Sequence, residues 1–126
     1  MERKIVVSEK APKAIGPYSV GVIAGNFVFT AGQIGIDRNT GEIVEGGIQT
    51  QTRQALTNVK YILEEAGSNM DQVIKTTVFL KDMNDFAKMN EVYGSFFQVN
   101  PPARSAVQIA KLPKDAIVEI EVVAVL

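Results

Sequence analysis

Hydrophobic and polar positions alternate with different periods along the chain, and each period predicts a different element. Ile5-Val6-Val7 is a short apolar run that predicts a first strand. Residues 20–24 and 27–33 are longer apolar runs separated only by Gly25-Asn26. Because a two-residue connection of this kind is a strong hairpin signal, we predict two antiparallel strands here. The polar, glycine-closed stretch 37–41 predicts a turn after them.

A helical period begins at residue 48 and makes one apolar stripe along a long helix. The residues of the stripe are Ile48, Thr52, Ala55, Leu56, Val59, Ile62, Leu63 and Ala66. Gly67 follows directly and suits the left-handed conformation that closes many helices. Residues 73–80 come next and are rich in β-branched side chains, which predicts a strand.

A second helix is predicted to begin near Asn84, a good N-cap residue, with Asp85 in its first turn. It ends before Pro101, because the residue preceding a proline avoids helical backbone. Its apolar side consists of Phe86, Met89, Tyr93, Phe96 and Phe97. An aromatic stripe of this kind is typical of a protein core rather than of a cofactor site. Asn90 and Glu91 lie within the stripe, and solvated helix surface is the simplest interpretation of both.

Two short strands are predicted near the C-terminal end, and each carries charge. Because side chains alternate across a strand, Arg104 and Ala106 share one face of the first, and Glu119 and Glu121 share one face of the second. The pattern has two interpretations. Either the charged positions form the solvated face of a half-exposed sheet, or Arg104 and a carboxylate on a neighbouring strand form a polar site. The register of the two strands decides between them, and the pattern leaves it open.

The predicted order is two or three strands, a helix, a strand, a helix and two strands. Strand–helix–strand units cross over with one hand, so both helices are expected on the same face of one mixed sheet. We therefore predict an α+β fold with a single domain that covers residues 1–126. The other face of the sheet is apolar enough that a second copy of the chain is expected to cover it.

The residue types that the chain lacks exclude more kinds of active site than its overall composition does. The chain has no histidine and no cysteine. A Ser-His-Asp triad, a Cys–His pair and a zinc site built on these side chains are therefore excluded. No carboxylate cluster has the spacing of a calcium-binding loop, so no metal site is predicted. Acid–base chemistry must use Asp, Glu, Lys, Tyr, a backbone group or water.

Charge and hydropathy narrow the expected partners. The net charge is −1 and no run of basic residues is present, which argues against electrostatic binding to nucleic acid or to an anionic membrane. No apolar stretch approaches the roughly 20 residues that span a bilayer, and the N-terminal residues do not have the pattern of a signal peptide. A cytoplasmic location is therefore expected, and the lack of cysteine agrees with it.

Tyr18 and Gly32 are further candidate site residues, each with an alternative. Tyr18 follows the Gly16-Pro17 turn and is either an ordinary surface aromatic or a ligand-facing residue at a strand start. Gly32 falls inside a predicted strand, where glycine indicates either a bulge or the close approach of another backbone or a ligand.

Several motifs, in order and at the expected spacing, make the chain resemble the reactive intermediate deaminase family, in its RidA-type branch, also called YjgF/UK114. The motifs are AIGPYS at 14–19, TAGQI at 30–34, KTTVFLKD at 75–82, NDFA at 84–87, NEVY at 90–93, PARS at 102–105 and LPKDAIVEIE at 112–121. The resemblance implies a chorismate-mutase-like α+β protomer, a homotrimer with ligand clefts between subunits, and no cofactor. It also implies hydrolysis of 2-iminobutanoate, 2-iminopropanoate or their enamine tautomers to 2-oxo acids and ammonia. Such substrates arise from dehydratases that use pyridoxal phosphate.

The residues at the family's site positions agree with that chemistry. Arg104 offers a bidentate fork for the substrate carboxylate, which the Gly32 N–H can also bind. The resemblance implies that Glu119 holds a water and acts as its general base. Burial raises the pKa of Glu119 and a nearby Arg104 lowers it, so the direction of the shift stays open. The other substrate-binding residues that the resemblance implies are Tyr18, Ala31, Phe86, Asn90 and Ala106.

Two positions depart from the common family pattern. Ala31 stands where serine is frequent, and Ala106 stands where cysteine is frequent. Hydroxyl or thiol roles are therefore absent there, which bears on rate and substrate range more than on the reaction class. Two other functions found in the family stay open: a non-catalytic regulator that binds carboxylate metabolites, and a translation inhibitor or endoribonuclease. The lack of histidine and the near-neutral charge disfavour the latter.

Overall fold

A six-stranded sheet forms the centre of the computed structural model, which describes residues 2–126. The strands are β1 (Arg3–Val6), β2 (Gly21–Ala24), β3 (Phe27–Thr30), β4 (Val73–Leu80), β5 (Ala103–Gln108) and β6 (Val118–Val125), and the helices are α1 (Ile48–Glu65) and α2 (Phe86–Phe96). The strand order is β1-β2-β3-β6-β4-β5. β6 is antiparallel to both β3 and β4, whereas β5 is parallel to β4. The mixed α+β sheet predicted from the sequence is confirmed.

Both helices pack on one face of this sheet and share its core. Leu56, Val59 and Leu63 of α1 are fully buried, and they belong to the same cluster as Val78 and Ile120 of the central strands. Their spacing of three and four residues puts them on one side of the helix, as the sequence predicted. Burial of each such side chain contributes about 1.5–3 kcal/mol to folding. This packing covers one face of the sheet and leaves the other face open.

The predicted hairpin and turns are confirmed. Ala24 pairs with Phe27 across Gly25-Asn26, and Gly25 has a φ of 59°. The turn that begins at Asp37 closes when the Gly41 N–H donates to the Asp37 carbonyl at 2.8 Å. The Gly25-Asn26 connection sets the register of β2 against β3.

The start of α2 differs from the prediction. Asn84 is not its N-cap: residues Met83–Asp85 form a short 3₁₀ turn, and the helix proper begins at Phe86. The Asp82 carboxylate accepts a hydrogen bond from the Asn84 N–H at 2.9 Å, so Asp82 satisfies the free donor at this end. Asp82 takes the capping role because the turn begins at Met83, before the predicted cap Asn84.

The two C-terminal strands are not neighbours, so the interpretation that joins Arg104 to a carboxylate on an adjacent strand is wrong. β4 lies between β5 and β6 and pairs with both. The chain therefore passes from the sheet edge at β5 back over β4 before β6 inserts between β3 and β4. This placement decides which face each charged residue occupies.

The open face of the sheet exposes large apolar side chains. Phe29 is 45% exposed and Phe27 and Ile5 are exposed to a similar degree. Phe29 pairs with Val123 of β6, so these side chains lie beside one another on this face. Within residues 2–126, no helix combines the length and apolar character that a bilayer crossing requires.

Candidate active site

Arg104 lies on the helix-covered face of the sheet, against α2. Its Nη1 donates to Asn90 Oδ1 at 2.7 Å. Its guanidinium carbon lies 4.7 Å from the centre of the Tyr93 ring and 5.2 Å from that of Phe86. The two rings and the amide hold the guanidinium in one orientation, and cation–π attraction contributes to that hold. Its remaining N–H donors are available to a carboxylate.

The helix positions these groups because Phe86, Asn90 and Tyr93 are spaced by four and three residues and so share one side of α2. The Tyr93 hydroxyl forms a 2.7 Å hydrogen bond with the Thr76 hydroxyl in the core. Thr76 is also the residue that pairs with Arg104 across β4 and β5. Burial raises the pKa of Tyr93, so its hydroxyl stays protonated. Ala106 lies two residues beyond Arg104, on the same face.

Glu119 lies on the opposite, open face. Its neighbours along β6, Val118 and Ile120, are fully buried in the helix-side core, so the alternation of the strand directs Glu119 away from the helices. Glu119 pairs with Phe79 of β4. Burial, first, and the nearby Glu121 carboxylate, second, raise the pKa of Glu119. A carboxylate with a raised pKa is a better proton acceptor than an ordinary surface carboxylate.

Gly32 lies directly against the Glu119 side chain. A Cβ at Gly32 would come within 2.7 Å of both Cδ and Oε1 of Glu119. The predicted strand over 27–33 is interrupted here, because β3 ends at Thr30 and pairing resumes only at the Gln33–Ile120 bridge. The N–H groups of Ala31 and Gln33 donate to backbone carbonyls, whereas that of Gly32 has no partner among residues 2–126. Gly32 therefore allows the close approach of the Glu119 side chain and offers a free donor.

A small cavity of about 50 Å³ opens beside Glu119. Its walls include Tyr18, Gly32 and Pro113. Tyr18 is 46% exposed, and its hydroxyl accepts a hydrogen bond from the Ile15 N–H at 3.2 Å. That bond folds the 15–18 turn so that the tyrosine ring stands at the cavity wall.

The sequence-predicted site residues thus fall into two separate groups. We define the Arg104 half-site as Phe86, Asn90, Arg104 and Ala106, and the Glu119 half-site as Tyr18, Ala31, Gly32 and Glu119. The first lies on the helix-covered face and the second on the open face, so one chain does not bring Arg104 and Glu119 to a common ligand. The expectation that Arg104 lowers the pKa of Glu119 is wrong within one chain for the same reason.

Two contributors were not among the predicted site residues. Tyr93 was assigned only to the core, although its spacing from Phe86 and Asn90 was a signal that it shares their side of the helix. Lys13 lines the Glu119 cavity, and no signal in the sequence distinguished it from other surface lysines. Among residues 2–126, no group of carboxylates is placed to hold a metal ion.

Comparison with known proteins gives consistent matches over nearly the whole chain. A family model described as "Endoribonuclease L-PSP" matches residues 8–126. A RutC family protein of Pyrococcus horikoshii is 59% identical over 122 residues, which cover 97% of each chain. The 2-iminobutanoate/2-iminopropanoate deaminase of Rattus norvegicus is 47% identical over 123 residues, which cover 98% of this chain and 90% of the rat protein.

A solved structure gives the same result for the fold. The crystal structure of E. coli TdcF with bound serine matches with a TM-score of 0.93 and 51% sequence identity. The match covers 98% of each chain. Because identity and coverage are both high, the similarity extends to the segments that carry the two half-sites.

Proposed function

Because the chain belongs to the endoribonuclease L-PSP family, also called the YjgF/RidA family, we propose that it hydrolyses reactive 2-imino acids to 2-oxo acids and ammonia. The substrates are 2-iminobutanoate and 2-iminopropanoate, or the enamines from which they form. One observation carries the proposal: a relative named for this activity is 47% identical over nearly the whole chain. The guanidinium of Arg104 and the half-buried carboxylate of Glu119 supply the two groups that the reaction needs.

The complete site is formed between protomers of a homotrimer. Arg104 and Glu119 lie on opposite faces of one sheet, so a single chain presents each without the other. A closed ring repeats one interface, and that interface brings the Arg104 half-site of one protomer against the Glu119 half-site of the next. The exposed Phe27 and Phe29 on the open face support such an interface, because an apolar surface of this kind favours a partner.

The reaction needs no covalent intermediate, since the imine carbon is already electrophilic. Arg104 binds the substrate carboxylate with two parallel hydrogen bonds, and the Gly32 N–H adds a third donor. Glu119 takes a proton from a water, whose oxygen forms a bond to C2 while the C=N π electrons move to nitrogen. The proton passes from Glu119 to that nitrogen and gives a carbinolamine. Glu119 then takes the carbinol O–H proton and passes it to the amino nitrogen, and ammonia leaves as the C–N bond breaks and the C=O bond forms. Holding the water and imine together accounts for much of the rate.

The experiment couples the protein to a threonine dehydratase and follows 2-oxobutanoate while semicarbazide traps free imine. We expect wild type to suppress the semicarbazone. Glu119→Gln should lower turnover by about 10²–10⁴-fold, because it removes the general base. Arg104→Ala should lower kcat/KM by about 10–10²-fold, because it removes a charged, bidentate contact.

Matched controls are Glu64→Gln and Arg53→Ala, which change exposed residues of α1 that belong to neither half-site. Both should keep wild-type activity. Circular dichroism and sedimentation must show that the two test variants keep their fold and assembly. Unchanged semicarbazone formation with folded wild type would refute the deaminase proposal.

A second candidate is a binding protein without turnover. The related TdcF structure contains serine, a small molecule with a carboxylate. The Arg104 half-site can bind a carboxylate whether or not hydrolysis follows. Calorimetry that detects Arg104-dependent binding of 2-oxobutanoate, in a preparation that leaves imine trapping unchanged, would favour this candidate.

A further inference from the structure

A second cavity of about 370 Å³ adjoins the Glu119 cavity. The two share walls formed by Pro12, Lys13, Ile15 and Ile36. The second cavity is also lined by Arg38, Gly41 and Lys114. Three cationic side chains thus converge on it, and no carboxylate residue lines it within residues 2–126. The whole chain has a net charge of −1, so this positive surface is local.

The existing contacts of these cations leave much of their charge uncompensated. Lys13 has neither a hydrogen bond nor an ion pair with any residue of 2–126. The Lys114 Nζ donates only to the Gly41 carbonyl, at 3.3 Å. A carbonyl accepts a hydrogen bond but does not neutralise an ammonium group.

Arg38 is the fixed member of this group. Its Nη1 donates to the carbonyls of Ser8 at 3.1 Å and Ala11 at 2.6 Å. Its Nη2 lies 3.7 Å from Glu9, whose side chain is 90% exposed. An ion pair this exposed contributes little, so Glu9 leaves most of the Arg38 charge uncompensated. The same bonds hold the loop that leads to Lys13.

The backbone around Lys114 also favours a cationic cavity. Lys114 and Asp115 have φ values of 56° and 55°, a conformation uncommon for residues other than glycine. In this turn the Asp115 carboxylate pairs with Lys111 at 3.5 Å and does not line the cavity. The turn therefore separates Lys114 from the nearest acid in the sequence.

We propose that the chain accepts 2-imino acids whose side chain ends in a second carboxylate, and that Lys13 and Lys114 determine this specificity. The inference rests on the proposed function of the Glu119 cavity. With the reacting carbon beside Glu119, the methylene groups of such a substrate lie along the apolar walls that the cavities share. The terminal carboxylate then reaches the cations, with Arg38 as their fixed neighbour.

The test measures binding of two stable 2-oxo acids by calorimetry. 2-Oxoglutarate carries the second carboxylate, and 2-oxobutanoate lacks it. We expect wild type to bind 2-oxoglutarate at least about fivefold more tightly, since each exposed charge pair contributes a few-fold in affinity. Lys13→Gln and Lys114→Gln should each reduce that preference by about two- to fivefold, and the double variant should abolish it.

Lys111→Gln is the matched control, because Lys111 lies in the same segment but lines neither cavity. It should keep the wild-type preference. An equal preference in wild type and the double variant would overturn the inference, and so would an equal loss in the control.

A kinetic arm separates this inference from the proposed function. An L-amino acid oxidase acting on glutamate or 2-aminobutanoate supplies the two imines, and semicarbazide reports their survival. If the protein accelerates hydrolysis of neither imine but 2-oxoglutarate binding depends on the lysines, the deaminase proposal fails and the dicarboxylate site stands. If 2-iminobutanoate is hydrolysed and the lysine variants do not change the preference, the inference alone fails.

Discussion

Replacing Gly32 with alanine tests how closely the backbone must approach the Glu119 carboxylate. The new Cβ would lie 2.7 Å from Glu119 Cδ and Oε1 and 2.9 Å from Cγ. Ordinary contacts between such atoms are about 3.5 Å or longer, so the carboxylate must withdraw by about 0.7–1 Å. The φ of Gly32 lies outside the left-handed region, so alanine adds no backbone strain there.

A shift of this size should affect activity more than stability. A misplacement of about 1 Å in a catalytic group can lower the rate about 10²-fold, and we expect kcat/KM for 2-iminobutanoate to fall by that amount. The atoms that must move belong to the end of a half-buried side chain, so the free energy of unfolding should change by only about 1 kcal/mol. The semicarbazide assay measures the first quantity and chemical denaturation the second.

Gly94→Ala is the matched control for this substitution. Gly94 is exposed on α2, and a Cβ there would meet no atom within 4 Å. Alanine in a helix interior should stabilise the protein by about 0.5–1 kcal/mol and leave turnover unchanged. A folded Gly32→Ala variant that keeps half or more of wild-type kcat/KM would refute the reasoning, because the carboxylate would then not need its observed position.

Two further predictions concern the electrostatics of each half-site. The Glu121 carboxylate raises the pKa of Glu119, so Glu121→Gln should lower that pKa and keep Glu119 ionised to lower pH. The acid limb of the pH profile of kcat/KM should therefore move to lower pH. An acid limb at the wild-type pH in Glu121→Gln would contradict this prediction. Tyr93→Leu removes the ring that contacts the Arg104 guanidinium and should raise KM by about three- to tenfold. Tyr93→Phe keeps the ring, so it should leave KM unchanged and lower the free energy of unfolding by about 1 kcal/mol, because the Thr76 hydroxyl loses its partner. Equal KM values for the two variants in steady-state assays would contradict a positioning role for Tyr93.

The elements were predictable because their signals are local. The helical stripe that begins at Ile48, the β-branched run over 73–80 and the Gly25-Asn26 hairpin each depend on residues close in sequence. The capping role of Asp82 was missed because Asn84 and Asp85 are equally good cap residues by type. Only the observed turn distinguishes them.

The division of the site between two faces was not predictable from the pattern. It depends on the position of β6 between β3 and β4. These strands are distant in sequence, so the local pattern of hydrophobic residues does not indicate that they pair. Consecutive strands are often neighbours, so the sequence left open a polar site that joins Arg104 to a carboxylate of the next strand. Lys13 and Lys114 converge on one cavity from loops about a hundred residues apart, which also depends on the tertiary fold.

The central claim is that each active site takes Arg104 from one protomer and Glu119 from the next. Mixing Arg104→Ala and Glu119→Gln protomers tests it directly, since each variant supplies the half-site that the other lacks. After the two are unfolded and refolded together in equal amounts, random trimers should recover about a quarter of wild-type deaminase activity. Differently tagged variants allow the mixed trimers to be isolated and counted. Mixed trimers that stay as inactive as either variant alone would contradict the claim.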